Sequence, residues 1–401
     1  MDPGNIQYLI SVEEARKIIL ENTEVPEPIH QTLEDSFYHV LASDIYAPYP
    51  IPSFRQSSVD GYALRFEDYQ QKNEFFVEGE SPAGYSKIYT LKPNQALRVF
   101  TGGLIPEGAD TMVMQEKVGF IGENLIIQDP DLKLGNQVRQ IGSEIQEGSL
   151  AMKAGKVLGP SSLGYLANIG ISEIAVYPKP RISILITGNE LESPGKKLKP
   201  GKVFESNSYS LNSALESFHF PKAQVFYVPD NLDTLSETLE NCLWISDIII
   251  FTGGVSVGDY DFTPRALDRL GFKTLFHKVK QRPGKPFLFA KKGRVLVFGL
   301  PGNPGSVLTG FYQYIIPCLE KITGLKNLIP RKKAILNNDF KKIKGLTFFV
   351  RAWFEEGKVH SLGGQESYKM GSYSEANCLI EFEEDKEEII RGEEVNIFLI
   401  P

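Results

Sequence analysis

The spacing of apolar and polar positions predicts different structures in successive parts of the chain. Apolar residues recur at the helical period over 11–22, behind a serine cap with an acid three residues on, which predicts an amphipathic helix. Residues 47–56 are rich in proline and are predicted to be extended and irregular. From 73 to 137, glycine, proline and asparagine separate short alternating runs, a pattern typical of a small sheet or barrel.

The pattern changes after residues 178–180, where two prolines flank a lysine and mark a domain linker. Apolar strands then alternate with helices of about 10 to 15 residues, from a strand at 182–187 to a helix at 304–323. This alternation predicts a doubly wound, mostly parallel sheet. After Pro330 the runs are β-like again, which predicts a small barrel or sandwich. The predicted fold class is therefore α/β plus β.

Three glycine-rich loops lie at the ends of strands in the predicted sheet. They are Thr252-Gly253-Gly254, Arg282-Pro283-Gly284-Lys285 and Pro301-Gly302-Asn303-Pro304-Gly305-Ser306. Glycine lets the backbone turn sharply and approach a ligand, and the helix after Pro304 is expected to leave the N–H groups of Gly305 and Ser306 free. The loops predict an anion site at the carboxyl edge of the sheet, with substrate-binding candidates Gly253, Gly254, Ser256, Pro301, Gly302, Asn303 and Ser306.

Four acids follow strands of this sheet, namely Glu190, Asp230, Asp259 and Asp261. Because loops after parallel strands meet on one face, we expect these carboxylates to be neighbours. Mg²⁺ binds one or two carboxylates together with phosphate oxygens and water, so a magnesium site is predicted. The alternative is that each acid only caps the following helix. Both interpretations stay open for Glu190 and Asp230, whereas the Gly-Gly turn before Asp261 favours a functional role.

Three basic residues, Lys278, Arg282 and Lys285, surround the proline-containing loop. A solvated charged hairpin is the alternative to an anion site here. Lys285 is fixed between glycine and proline, so it is the strongest candidate of the three for a functional role.

Composition and missing motifs exclude several classes of function. A net charge of −7 argues against a nucleic-acid partner, whereas a small anionic ligand can still be bound by local cations and N–H groups. No apolar run approaches the roughly 18 residues that span a bilayer, and the N-terminus lacks a signal-peptide pattern. The three isolated cysteines have no metal-ligand spacing and cannot all form disulfides, so a reducing, cytoplasmic location is expected. The chain also lacks the P-loop GxxxxGK(S/T) and the dinucleotide-binding GxGxxG.

Six motifs occur in order along the chain: SSVDGYA, TGGLIPEGADTMVMQE, ITGNEL, FTGGVSVGDYDF, RPGKPFLFA and GLPGNPGSV. This series closely resembles the molybdopterin molybdenumtransferase family, which includes the bacterial MoeA proteins and the E domain of gephyrin. The resemblance extends from about residue 8 to the C-terminus. It implies Mg²⁺-dependent insertion of molybdate into adenylated molybdopterin with release of AMP. The dithiolene of the pterin then supplies the sulfur ligands of the molybdenum.

The resemblance also implies roles for individual residues. Catalytic roles are implied for Asp60, Thr101, Asp261, Lys278, Arg282 and Lys285, substrate binding for Arg351 and Ser372, and metal binding for Glu190, Asp230 and Asp261. Many relatives have lysine where this chain has Arg282. Arginine keeps the positive charge but presents it on a planar guanidinium instead of a compact ammonium group. Relatives often read Gly-Glu-Asp where this chain has Gly142-Ser143-Glu144, which leaves the role of Glu144 open.

The family fold implies an elongated homodimer whose active site is shared between subunits. It also implies contact with other proteins of molybdenum-cofactor biosynthesis. Each chain then has four regions: a discontinuous N-terminal domain (1–50 and 139–177), an inserted β domain (51–138), an α/β molybdopterin-binding domain (178–329) and a C-terminal β-barrel (330–401).

Other functions compete with this interpretation. A non-catalytic scaffold is one, since gephyrin-like E domains also bind partner peptides, but the intact acids and cations argue against it. A related enzyme that adenylates the pterin is another, but it would need only the sheet domain. Molybdate and tungstate have nearly the same size and charge, so a tungstate-inserting homologue stays open.

Overall fold

The computed structural model describes residues 9–255 and 262–401. These residues form two compact units. The large unit comprises the chain up to Ile29, Tyr38–Val40 and Ala175–Pro401, and the small unit comprises His30–Phe37 and Leu41–Ile174. No helix among the described residues is long and apolar enough to cross a membrane.

The first part of the chain supplies its first helix to the large unit and contains the whole of the small unit. Its elements, apart from short 3₁₀ turns, are α1 (Val12–Asn22), β1 (Ile29–Thr32), β2 (Ile45–Tyr46), β3 (Gln56–Ser57), β4 (Gly61–Leu64), α2 (Phe66–Gln71), β5 (Glu74–Ser81), β6 (Gln95–Val99), β7 (Thr111–Met114), β8 (Val118–Ile121), β9 (Asn124–Ile127), β10 (Val138–Arg139), β11 (Leu150–Met152), α3 (Pro160–Asn168) and β12 (Glu173–Val176). The predicted serine cap of α1 is confirmed, because the Ser11 hydroxyl accepts a hydrogen bond from the Glu14 N–H.

A six-stranded sheet forms the centre of the small unit, in the order β7-β4-β6-β5-β9-β8. Alternation along β4 sends Tyr62 and Leu64 into one apolar cluster and Ala63 into another. The sheet is therefore covered on both faces at this strand, as successive side chains of a strand point to opposite sides. The small sheet predicted between residues 73 and 137 is present, with β4 added to it from earlier in the chain.

The middle of the chain forms the second sheet. Its elements are β13 (Ile182–Thr187), β14 (Leu191–Glu192), β15 (Val203–Phe204), α4 (Asn207–Ser217), β16 (Gln224–Val228), α5 (Leu232–Ile245), β17 (Ile248–Thr252), α6 (Phe262–Arg269), β18 (Lys273–Phe276), β19 (Gln281–Arg282), β20 (Leu288–Lys292), β21 (Val295–Leu300), α7 (Pro304–Gly310) and α8 (Ile316–Thr323). The sheet order is β16-β13-β17-β21-β20-β18. The first four strands are parallel, and β20 pairs antiparallel with both of its neighbours, β21 and β18.

Helices cover both faces of this sheet. Leu235 and Leu239 of α5 and Leu267 of α6 pack with Ile249 and Phe251 of β17 on one face. On the other face, α4 contacts β13, and α7 contacts β21. The predicted doubly wound, mostly parallel fold is confirmed.

The helix predicted over 304–323 is continuous but irregular, because a π-helical turn over Phe311–Ile315 joins α7 to α8. Pro317 explains the irregularity. Proline has no N–H to donate to the carbonyl four residues earlier, which is that of Gln313, and its ring collides with that carbonyl in a regular helix.

The last part of the chain forms a barrel. It contains β22 (Arg331–Leu336), β23 (Phe340–Lys341), β24 (Thr347–Glu355), β25 (Lys358–Ser361), α9 (Gly371–Glu375), β26 (Cys378–Phe382), β27 (Glu388–Ile389) and β28 (Glu394–Leu399). Five strands close in the order β24-β25-β22-β28-β26, since β26 pairs with β24 again. The predicted C-terminal barrel is confirmed, and β19 from the sheet domain extends it by pairing in parallel with β24. The four domain boundaries given above stay a prediction.

Gly61 shows how tightly the sheet of the small unit is packed. A Cβ atom at this position would lie 1.9 Å from the carbonyl oxygen of Val113, on the neighbouring strand β7. A backbone atom cannot move aside as a flexible side chain can, so the sheet itself must shift to accept a larger residue.

We expect Gly61→Ala to lower the free energy of unfolding by about 3 kcal/mol or more. Gly164→Ala is the matched control, since Gly164 lies within α3 of the same unit with open space at its Cβ position. It should stabilise the unit by about 0.5–1 kcal/mol. Urea-unfolding midpoints measure both effects. A Gly61→Ala midpoint at or above that of the parent would contradict the expectation.

Candidate active site

The candidate site lies where the parallel strands of the large unit end. Ile186, Thr252 and Leu300 lie side by side in the register of β13, β17 and β21. The N–H of Gly253 donates to the carbonyl of Leu300 at 3.0 Å, which joins two of the glycine-rich loops just beyond the sheet. A Cβ at Gly302 would lie 3.8 Å from the Cα of Gly253. The predicted convergence of these two loops is therefore present.

The sharp turn predicted at the end of β17 is also present. Gly253 and Gly254 both have positive φ, +93° and +62°. A Cβ on Gly253 would lie 2.7 Å from the carbonyl oxygen of Thr187, so a side chain there would push β13 and β17 apart. Ser256, Asp259 and Asp261, which follow this turn, lie outside the described residues.

Three polar side-chain atoms near these loops are buried without a hydrogen-bond partner in the described part of the chain. They are the hydroxyl oxygens of Thr252 and Thr263 and the amide oxygen of Asn207. The amide nitrogen of Asn207 donates to the carbonyl of Gly302 at 3.0 Å, which points the side chain at the loop after β21. Buried polar atoms are normally satisfied by protein, water or ligand, so each of these three atoms still calls for a partner from one of these sources.

The hydrogen bonding at the N-terminal end of α7 differs from the prediction. The N–H of Gly305 donates to the carbonyl of Ser367 at 2.9 Å, and the N–H of Ser306 donates to that of Asn303 at 3.0 Å. The expectation that both groups are free was wrong. A loop that follows β25 accepts from Gly305, whereas the N–H of Ser306 donates to a residue three positions earlier in the chain. The amide of Asn303 also donates to the Ser367 hydroxyl at 3.0 Å. No sequence signal pointed to Ser367, which lies far along the chain in the barrel.

Two of the predicted acids occupy neighbouring loops. The carboxylate of Asp230 accepts from the Asn189 N–H at 2.9 Å, which joins the loops after β16 and β13. The Glu190 carboxylate lies over Gly188, where a Cβ would come within 2.8 Å of its oxygens. The capping alternative for Asp230 was wrong, since the N-cap of α5 is Asn231. Glu190 precedes a strand, β14, rather than a helix.

The described residues contain no group of three or more histidines, cysteines or acids arranged to hold a metal ion. Asp259 and Asp261 lie outside them. The magnesium site therefore stays a prediction.

The loop that carries Lys278, Arg282 and Lys285, called the basic loop below, is anchored to its surroundings. The Val279 N–H donates to the Lys285 carbonyl at 3.0 Å, and the side-chain amide of Gln281 donates to the Gly284 carbonyl at 3.0 Å. A Cβ at Gly284 would lie 3.5 Å from the Cβ of Ser306, so this loop touches the loop after β21. The backbone of the basic loop is held on both sides of its turn.

The cations of this loop carry charge that the described residues do not neutralise. Arg282 and Lys285 are exposed and Lys278 is half-buried, and no ion pair within the described ranges involves any of the three. The guanidinium of Arg282 lies 5.6 Å from the centre of the Phe348 ring. A rigid loop that carries three such cations is suited to binding an anion.

Arg351 lies inside the protein, with 1% of its surface exposed. Its guanidinium donates to the carbonyl of Lys369 at 2.9 Å and to that of Glu366 at 3.3 and 3.4 Å, and burial lowers its pKa. The Ser372 hydroxyl donates to the Gly364 carbonyl at 2.9 Å. Both side chains thus hold the loop that carries Ser367. Their predicted binding of substrate stays a prediction.

In the small unit, two separate motifs come together. The same carboxylate oxygen of Asp60 accepts from the Thr101 N–H at 2.7 Å and from the Thr101 hydroxyl at 2.8 Å. These bonds favour the charged form, so the pKa of Asp60 is lowered, chiefly by the backbone hydrogen bond. The sequence marked both residues but did not show that they touch.

Glu144, whose role the sequence left open, lines a cavity of 620 Å³ in the small unit. Arg139 and Ser143 line the same cavity. The carboxylate accepts from the side-chain amide of Asn168 at 3.1 Å.

Comparison with known proteins covers nearly the whole chain. Residues 10–170 match the MoeA N-terminal region (domain I and II), 183–321 match a probable molybdopterin binding domain, and 333–400 match the MoeA C-terminal region (domain IV). The chain is 34% identical over 398 residues to a molybdopterin molybdenumtransferase from Haemophilus influenzae, covering 97% of this chain and 98% of the relative. It is 36% identical to one from Staphylococcus epidermidis, covering 86% and 83%.

Solved structures agree with this comparison. A molybdopterin biosynthesis MoeA protein from Pyrococcus horikoshii OT3 is 31% identical, with a TM-score of 0.73 over 98% of this chain and 100% of the other. A second MoeA structure is 27% identical, with a TM-score of 0.81 over 98% and 99%.

The hydrogen bonds between Asp60 and Thr101 predict a measurable shift. We expect Thr101→Val to raise the pKa of Asp60 partway towards its ordinary value, because the hydroxyl bond is lost while the backbone bond remains. Any stability from this carboxylate is present above its unfolded pKa and is lost as the pH falls through the folded pKa. NMR titration of the carboxyl carbon measures the shift.

Thr90→Val is the control for this titration, since the Thr90 hydroxyl donates to a different carboxylate of the small unit, that of Glu107. An Asp60 pKa that moves equally in both variants would show that the Thr101 hydroxyl has no specific effect.

Proposed function

The chain belongs to the molybdopterin molybdenumtransferase family, and we propose that it inserts molybdate into adenylated molybdopterin, with release of AMP, in molybdenum-cofactor biosynthesis. The observation that carries the proposal is the basic loop, which holds exposed Arg282 and Lys285 beside the glycine-rich loop after β21. Both molybdate and the phosphoanhydride of the pterin are anions, and an unneutralised cation pair on an anchored backbone is suited to them.

The cysteines of the chain support this chemistry indirectly. Cys242, Cys318 and Cys378 are all buried, and desolvation raises the pKa of each thiol. Buried thiols of raised pKa are poor metal ligands, because the thiolate is the ligand. The sulfur ligands of the molybdenum would then come from the dithiolene of the pterin, as the family resemblance implies.

We propose that Mg²⁺ binds with the substrate at Glu190, Asp230 and Asp261. Carboxylate oxygens are the ligands that Mg²⁺ prefers, and the first two side chains stand on the adjoining loops after β13 and β16. The ion would neutralise charge at the phosphoanhydride and on the departing AMP. Lys278, Arg282 and Lys285 would orient the anionic groups and hold them at the edge of the sheet.

We further propose a cytoplasmic homodimer in which Asp60 and Thr101 of one subunit complete the site of the other. The family resemblance motivates the shared site. The hydrogen bonds between these two residues would let them present an ionised carboxylate in a fixed orientation to such a site. Contact with other proteins of the same biosynthesis belongs to this proposal as well.

The direct test measures AMP release from adenylated molybdopterin by the purified protein, with molybdate or tungstate. We expect Lys285→Ala to lower kcat/KM by at least 100-fold, which corresponds to about 2.7 kcal/mol. Excess EDTA should abolish the reaction. Lys326→Ala, which removes another exposed lysine of the large unit, is the matched control.

AMP release by the parent that is the same with and without either oxyanion would contradict the insertion reaction. Full activity of Lys285→Ala would remove the basic loop from the site. Preference for tungstate would change the substrate but keep the mechanism.

A complementation experiment tests the shared site. Asp60→Ala and Lys285→Ala chains are each expected to retain at most about 1% of the parent activity as homodimers. After mixing and re-annealing, half of the dimers are hybrids with one intact site, so about a quarter of the parent activity should return. Mixed dimers as inactive as either variant alone, once mass spectrometry has shown that hybrids form, would mean that each subunit uses only its own residues.

A further inference from the structure

We propose that Tyr314 and Gln281 are positioning residues, which hold the basic loop in the shape that presents Arg282 and Lys285 to the substrate. This inference rests on the function proposed above. Neither residue lies in a motif that the sequence marked. Both are buried, with 1% of their surfaces exposed.

A chain of two hydrogen bonds links the π-helical turn to the basic loop. The Tyr314 hydroxyl donates to the side-chain oxygen of Gln281. The side-chain nitrogen of Gln281 in turn donates to the carbonyl of Gly284 at 3.0 Å. Because an amide side chain has one acceptor end and one donor end, the tyrosine fixes which end faces the loop.

The ring of Tyr314 contacts the other side of the same loop. It stacks on Phe287, with 4.5 Å between ring centres and 27° between planes. Phe287 follows Lys285 by two residues. One side chain therefore constrains the loop before and after its turn, through the hydroxyl on one side and the ring on the other.

The π-helical turn that carries Tyr314 is itself held by a contact with α1. The side-chain oxygen of Gln313 accepts from the guanidinium of Arg16 on α1. Arg16 also forms an ion pair with Glu381 of the barrel at 2.9 Å. The turn is thus fixed by α1 and the barrel, so the chain of hydrogen bonds starts from a rigid support.

Tyr314 acts through Gln281 rather than on the substrate. Its hydroxyl is buried and already donates to Gln281, and desolvation raises its pKa, so it stays protonated at neutral pH. Losing the hydroxyl leaves the Gln281 oxygen without this donor in a buried position, and the amide is then free to turn away from Gly284.

The experiment compares Tyr314→Phe with the matched control Tyr312→Phe. Tyr312 belongs to the same π-helical turn, but its side chain lines a cavity together with Ser213 and Leu308. We expect Tyr314→Phe to raise the hydrogen-exchange rate of the Val279 amide, which donates to the Lys285 carbonyl. A change of about 10-fold is expected, since a buried hydrogen bond contributes roughly that much to a local equilibrium. Tyr312→Phe should leave this exchange unchanged.

Kinetics provide the second readout. Tyr314→Phe should lower kcat/KM for AMP release by about 10-fold. In a Lys285→Ala background the same substitution should lower kcat/KM by clearly less, about 3-fold or below, because the part of its effect that passes through Lys285 is already lost. A residue that only stabilised the fold would act equally in both backgrounds.

Unchanged Val279 exchange in Tyr314→Phe, or an equal 10-fold effect in both backgrounds, would overturn the inference. Gln281→Met removes the same connection with a side chain of similar length, and it replaces Tyr314→Phe if that variant does not fold. The exchange measurement needs no substrate. An inactive parent protein would therefore count against the proposed function, whereas unchanged exchange would count against the positioning role alone.

Discussion

The candidate site depends on one fully buried strand, β17. Its five residues, Ile248–Thr252, expose at most 1% of their surfaces, and it lies between the parallel strands β13 and β21. With apolar layers on both faces and hydrogen-bonded neighbours at both edges, the strand cannot shift without breaking the core. The chain must therefore turn at a fixed point, and Gly253 is where it turns. The loops after β13 and β21 are brought to the same point because their strands share this register.

The positive charge of the site comes from side chains rather than from a helix end. The helix that begins at Pro304 would provide a positive pole, but the Ser367 carbonyl already accepts from the Gly305 N–H. The exposed cations lie instead on the basic loop, whose backbone accepts a hydrogen bond from the buried side chain of Gln281. An acidic chain can bind an anion in this way, because local geometry and not net charge sets the potential where the ligand binds.

Arg351 shows what a positively charged side chain requires when it is buried. Its buried guanidinium is held by the carbonyls of Glu366 and Lys369 and lies 5.3 Å from the centre of the Tyr373 ring. Taking a cation out of water is unfavourable unless its donors are satisfied. Here they are satisfied by the very loop that carries Ser367. The barrel is thereby connected to the glycine-rich loop of the sheet domain through a single ordered segment.

The sequence by itself determined the elements and the parts of the site that local pattern controls. Periodicity predicted the doubly wound sheet and a C-terminal barrel or sandwich. Residue types predicted the serine cap of α1 and the glycine turn after β17, because each of these follows from residues close together in the chain. Only the tertiary structure decided that Thr101 meets Asp60, that Ser367 covers the end of α7, and that Tyr314 supports the basic loop. These pairs are separated by tens of residues, and their contacts exist only once sheets, helices and barrel have packed. The expectation of a free N–H group at Gly305 was wrong for the same reason, whereas the N–H of Ser306 donates locally to Asn303. The local sequence specifies where a helix begins, whereas packing decides what covers its end.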